Sequence, residues 1–161
     1  MYLLPLSIMI VKNIFSFLTI YIFISFNAYS YDENDLKKLL DTNSCIKCDL
    51  SGADLRKVNL TNANLQGSNL NKVNLWRANL ENANLDSCSL EEANLKRVNF
   101  KNANLNNTTF QWSIIRHAIM DGATAINADF TRAGIKKTSF KLVTLCNTKM
   151  KYGIDNSGCN K

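Results

Sequence analysis

The chain has 161 residues, 46% hydrophobic and 20% charged, with 19 Lys and Arg against 13 Asp and Glu and a formal charge of +6. That balance points to anionic partners. A single histidine, His117, leaves no material for a multi-histidine zinc site and little for general-base chemistry.

Residues 14–26 are almost wholly apolar, preceded by Lys12 and followed by Ala28-Tyr29-Ser30, a small-x-small cleavage pattern. Residues 1–30 therefore read as a secretory signal peptide cut after Ser30. Met9 is an alternative start to Met1 that gives a more compact signal. The apolar stretch is long, so an uncleaved membrane anchor is the rival reading. No cysteine lies at the boundary, which counts against a lipoprotein. The expectation is an exported protein, periplasmic or secreted, with a membrane-anchored form as the alternative. Removing residues 1–30 takes away one cation, Lys12, and lowers the charge from +6 to +5.

Residues 31–47 are expected to form an N-terminal helical cap, with a short helix over 32–43. Leu36, Leu39 and Leu40 make its apolar stripe, and Asp32, Glu33 and Asp35 crowd its start, where negative charge suits the exposed amides. The leucines are expected to cover the start of the next segment.

From Cys48 onward the chain is strictly periodic. Every fifth residue from Leu50 to Met150 is Leu, Phe, Ile or Met, except Ala125. Two residues earlier the side chain is always small or β-branched, as at Ala63, Val73, Cys88, Ala103 and Thr148. Asn or Asp usually stands between them, as in Ala63-Asn64-Leu65 and Ala128-Asp129-Phe130. Period five fits neither a helix nor an alternating strand; sustained over twenty-one quintets it marks a solenoid.

The quintets resemble the pentapeptide repeat family, with consensus Ala-Asp/Asn-Leu-X-X. The resemblance implies an all-β fold, a right-handed quadrilateral β-helix of about five coils, four quintets to a coil. One large and one small inward residue per quintet can fill a narrow square shaft. At roughly 4.8 Å per coil the rod would be about 25 Å long. Equivalent asparagines, such as Asn64, Asn84 and Asn104, can form ladders between coils. The solenoid is placed at 48–150 and a C-terminal cap at 151–161, where Gly153, Asp155, Asn156, Ser157 and Gly158 make turn-rich sequence. Exported members of the family carry similar Cys-Asn-Thr and Gly-Cys stretches, matched here at Cys146-Asn147-Thr148 and Gly158-Cys159.

Export gives the five cysteines meaning. On this rod Cys45 and Cys48 lie at one end and Cys146 and Cys159 at the other, too far apart to cross-link. The expected bridges are Cys45–Cys48 and Cys146–Cys159, each pinning a cap. Cys88 is left in a small inward position. A redox role for Cys45-x-x-Cys48 lacks the βαβ context, and a metal site lacks ligands.

The two residues after each large apolar position are expected to face solvent, with positions twenty apart stacked. One column then holds Arg56-Lys57, Trp76-Arg77, Lys96-Arg97, Arg116-His117 and Lys136-Lys137, without an acid. The other three columns hold only four cations, with Glu81, Asp86, Glu91, Glu92 and Asp121 among them. Like charges stacked at about 5 Å repel, so the column reads as a binding surface for an extended anion: an anionic lipid, a glycolipid, a polysaccharide or an acidic protein. Trp76 adds surface for stacking or headgroup contact, unless it covers neighbouring aliphatic stems. The contrasting reading is an inert structural rod or envelope spacer with incidental charge, copied along the column by repeat duplication.

No nucleophile, base and orienter set is present, and Glu91-Glu92 reads as solvated, so no enzyme activity and no cofactor are expected. Well-known members of the family act on DNA gyrase as acidic DNA mimics. The basic column and the export signal here count against gyrase as a partner.

Overall fold

The computed structural model describes residues 31–159. The expected signal peptide lies outside them. Among the described residues no helix is long and apolar enough to cross a membrane.

Helix α1 spans Glu33–Thr42. Asp32 is its N-cap, its side chain accepting from the backbone N–H of Asn34 (2.8 Å) and Asp35 (3.3 Å). Asn43 ends it in the left-handed region (φ 55°), its N–H donating to the Leu39 carbonyl. Leu39 is fully buried in the main core and Leu36 packs against it from a half-buried position. Leu40 corrects the expectation for the stripe: it is 56% exposed. The i, i+3 and i+4 positions subtend an arc wider than the contact with the core beneath, so Leu40 overhangs it. The Asp35 carboxylate accepts from the Asp49 N–H (2.8 Å) and ties the helix to the first repeat.

From residue 44 the chain returns beside itself every twenty residues. Isolated parallel bridges join Ser44 to Asn64, Asp54 to Asn74, Asn84 to Asn104 and so on up to Asp129 and Lys149. Each bridge is too short to count as a strand, because every quintet spends two of its residues on a turn. In these turns the second residue has positive φ, for example Lys57 (60°), Arg77 (58°), Asn102 (56°) and Trp112 (60°). An N–H closes most of these turns three residues back, as from Ala78 to the Leu75 carbonyl (2.9 Å), but not the turn at Arg116-His117. Positive φ at the third position is the signature of a type II turn. Gly122 takes the same conformation (φ +75°), and there a Cβ would stand 2.2 Å from the Asn102 side-chain oxygen.

Both inward positions are filled as the period implies. The large residues from Leu50 to Phe130 are buried, with Ala53, Val73, Cys88 and Ala103 between them. Side chains also stack along the axis. Phe110 lies flat on Phe130 one layer away (centroids 4.6 Å, 4°) and meets Phe100 edge-on at 6.3 Å. Ala125, the one small residue in the large series, is fully buried like its neighbours in that series.

Amide ladders run up the faces. Asn104 donates to Asn84 (3.1 Å) and Asn84 to Asn64 (3.2 Å). The chain closes with a two-stranded antiparallel pair, β1 (Thr148–Met150) and β2 (Gly153–Asp155). Disulfides join Cys45 to Cys48 and Cys146 to Cys159. Cys88 is free and buried.

Candidate functional site

The turns that carry Arg56-Lys57, Trp76-Arg77 and Lys96-Arg97 are closed like those of the other columns, so their side chains inherit the stacking of the backbone. Lys57 N–H donates to the Trp76 carbonyl (2.9 Å), Arg77 to Lys96 (3.0 Å) and Arg97 to Arg116 (2.9 Å). These bonds bring Arg56-Lys57, Trp76-Arg77, Lys96-Arg97 and Arg116-His117 into one column. In each pair the second residue is exposed, while Trp76 and Lys96 at first positions are half-buried. Lys136 and Lys137 are exposed in the next layer, but among the described residues no backbone bond joins His117 to Lys136.

Elsewhere the twenty-residue spacing sets opposite charges over one another. Lys72 pairs with Glu92, Lys101 with Glu81 and Lys149 with Asp129, at 3.9, 3.5 and 3.8 Å. Within the basic column, like stands over like. Its single ion pair among the described residues is Arg56–Asp54, a bidentate contact with Nε at 2.7 Å from Oδ1 and Nη2 at 2.6 Å from Oδ2. Asp54 precedes the turn, in the position Asn occupies elsewhere. The Arg56 hydrogen bond holds its carboxyl below the usual carboxylate range, and Asp54 in return raises the Arg56 guanidinium. One of the column's cations is thereby neutralised.

Trp76 is not open to a stacking ligand on both faces. Arg77 lies over its ring at 4.6 Å and Lys57 at 5.4 Å. The indole holds two cations of the column in place. Asp54, Arg56, Lys57 and Trp76 together line an open depression. A second such pair escaped the sequence reading: Arg132 lies over Trp112 at 4.6 Å, and Trp112 is 55% exposed. The signal was their separation of twenty residues.

Asp35, Cys45 and Cys48 bring potential metal-ligand atoms within 4.8 Å of one another. Both sulfurs are bonded to each other, which removes them as thiolate ligands. Cys88 is equally unsuited to chemistry: burial pushes its thiol up to about 12, and its S–H donates to the Leu65 carbonyl at 2.9 Å.

Comparison with known proteins agrees with this geometry. The family model described as pentapeptide repeats matches eight copies, over residues 44–77 and 77–111. No curated protein matches the chain. It is similar to a pentapeptide repeat protein from Nostoc Pcc 7120, at 19% identity and TM-score 0.51, over 65% of this chain and 81% of that one. It is also similar to a pentapeptide repeat protein from the cyanobacterium Cyanothece 51142, at 23% identity and TM-score 0.49, over 68% of this chain and 96% of the other. A third is from the Arabidopsis thaliana thylakoid lumen, at 17% identity and TM-score 0.49, over 76% and 84%. The likeness to the Nostoc protein shows the fold, a right-handed quadrilateral β-helix.

Proposed function

We propose, from the premise that this chain belongs to the pentapeptide repeat family, that it is a non-enzymatic exported scaffold binding an extended anionic ligand through its basic column. One observation carries the reading: among the described residues, vertical neighbours elsewhere pair opposite charges, whereas this column stacks Lys and Arg with a single carboxylate partner, Asp54. Like charges one layer apart cost stability that an anion offsets. Arg97 and Arg116 offer forked donors to phosphate, sulfate or carboxylate, and Lys96, Lys136 and Lys137 offer point charges. The two disulfides fit an oxidising compartment, which supports export. In this reading α1 and the disulfide-closed tail cap a solenoid of about five coils, blocking edge pairing at its ends.

The test is binding of the protein to soluble polyanions and anionic lipid headgroups across a salt series. A variant with Arg56, Lys57, Arg77, Lys96, Arg97, Arg116, Lys136 and Lys137 changed to Gln runs beside it. Binding that weakens with salt and is lost in the variant supports the column as the site. Equal binding by both proteins overturns it and leaves the structural-rod reading.

A further inference from the structure

The two faces that meet at the basic column change character at one layer. One face runs Asn74, Asn94 and then Ile114; the other runs Asn59, Asn79, Asn99 and then Ile119. Both ladders of amides therefore give way to isoleucine on either side of Arg116-His117. Ile119 is 50% exposed. In the next layer Leu142 is 67% exposed beside Lys141, and Phe140 is half-buried.

The backbone opens at the same place. Bridges join Asn59, Asn79, Asn99 and Ile119 in turn, yet among the described residues none joins Ile119 to Ser139. The ladder resumes with Gly122 N–H donating to the Leu142 carbonyl (3.1 Å). Among the described residues, 136–141 thus make no backbone-to-backbone hydrogen bond to the layer beneath, where the Thr138 hydroxyl donates to the Ile115 carbonyl. Exposed Ile119 and Leu142 follow Arg116 and Lys141 closely along the chain, with Lys136 and Lys137 exposed in the same segment as Leu142. Asp121 is the acid of the adjoining turn.

Exposed aliphatic side chains add little to the capture of a hydrated polymer, whose contacts are made by charge. They add directly to contact with a bilayer, where cations meet headgroups while apolar groups enter the acyl boundary. We propose that the surface formed by residues 116–120 and 136–142 docks on an anionic lipid bilayer. Arg116, Lys136, Lys137 and Lys141 contact phosphate headgroups, and Ile119 and Leu142 insert between them. This rests on the basic column being an anion site and names its ligand as a lipid surface.

The experiment uses the full chain in every arm, so residues 1–30 contribute equally throughout. Sedimentation is measured with vesicles of phosphatidylcholine alone and of equal parts phosphatidylcholine and phosphatidylglycerol, with soluble dextran sulfate as the non-lipid anion. The variant combines Ile119→Asn, which extends the amide ladder below it, with Leu142→Asn; thermal unfolding verifies that it is folded. A fluorophore on Ile119→Cys reports locally whether this position leaves water. The expected result is a loss of about tenfold in affinity for the anionic vesicles, the scale of withdrawing two half-exposed aliphatic side chains from lipid. Dextran sulfate binding stays unchanged, and the fluorophore shifts to the blue only with anionic vesicles. Unchanged vesicle affinity in the variant, or a fluorophore that stays in water, overturns the docking. If dextran sulfate binding still depends on the eight cations, the column reading survives that failure. Insensitivity of both ligands to the eight-cation change overturns both readings.

Discussion

The side-chain oxygen of Asn94 is buried without a hydrogen-bond partner: the residue one layer on, Ile114, has no amide to donate, and the Lys96 N–H does not bond it as the Lys101 N–H bonds Asn99. Asn94 itself donates to Asn74 (3.0 Å), so the ladder is satisfied on one side and cut on the other. Unmade bonds of this kind cost about 1–3 kcal/mol. Ile114→Asn is expected to restore the donor and raise stability by about 1 kcal/mol, after the loss of a half-buried apolar side chain. Urea unfolding of the two proteins checks it, and an equal or lower midpoint in the variant rejects the account.

The tail is expected to depend on its bridge. Cys146 and Cys159 are 13 residues apart, and closing a loop of that order stabilises by about 3 kcal/mol in the chain-entropy model. Stability in a solenoid is passed between neighbouring layers. Replacing both cysteines with Ser is therefore expected to speed amide exchange at Thr148–Met150 and Gly153–Asp155 while residues 60–100 stay protected. Uniform loss of protection along the whole chain would count against a local role.

Cys88 is expected to be inert in the native protein. Its buried thiol, pushed up to about 12, stays protonated through the neutral range, and the thiolate is the reactive form. Alkylation at pH 8 is expected to follow the global unfolding rate and to accelerate sharply in denaturant. Rapid labelling under native conditions would show that the shaft opens locally.

Acid is expected to weaken the fold. Amides from Asn107 and Gln66 hold Asp86 below the usual 3.8, and backbone and side-chain donors of Ser157 do the same for Asp155. Burial pushes Asp129 upward, but Thr131, Gln111 and Lys149 together outweigh it. A carboxyl lowered on folding contributes stability that is full above its unfolded value and lost as pH falls through its folded one. Stability is thus expected to be level near neutrality and to drop below about pH 4. Denaturant midpoints from neutrality down to pH 3 test this; a flat profile contradicts it.

Asp54→Asn is expected to release Arg56 into the column. With one more free cation, polyanion affinity rises and the slope of log affinity against log salt steepens by up to about one unit. No change in slope would mean that Arg56 lies outside the footprint of the ligand.

The repeating part of the fold was legible because its period is a local rule. Each quintet needs one large and one small inward residue, and side chains such as Leu85 and Ala83 state this directly in the chain. The column was legible for the same reason: residues twenty apart, such as Arg77 and Arg97, are forced into register by the backbone bonds that carry them. Breaks in the rule were harder to read. Leu40 looks like its neighbours in the helical stripe, and only the extent of the core beneath α1 leaves it exposed while Leu39 is buried. Trp76 reads either as a stacking surface or as cover for neighbouring stems, and only the folded column sets Lys57 and Arg77 over its ring.

By itself, the sequence determined the solenoid period, the residues that fill the shaft, the two cysteine pairs and the alignment of the basic pairs from Arg56-Lys57 to Arg116-His117, because a strict repeat turns spacing along the chain into position in space. The folded structure decided which of those cations are free: Asp54 bonds Arg56 two residues along the chain, and no carboxylate one layer away reaches Arg97 among the described residues, as Glu92 reaches Lys72. It also decided where the ladders fail. Ile114 and Ile119 differ from asparagine by a single side chain each, but the consequences, an orphaned Asn94 oxygen and an exposed apolar ridge, exist only between layers.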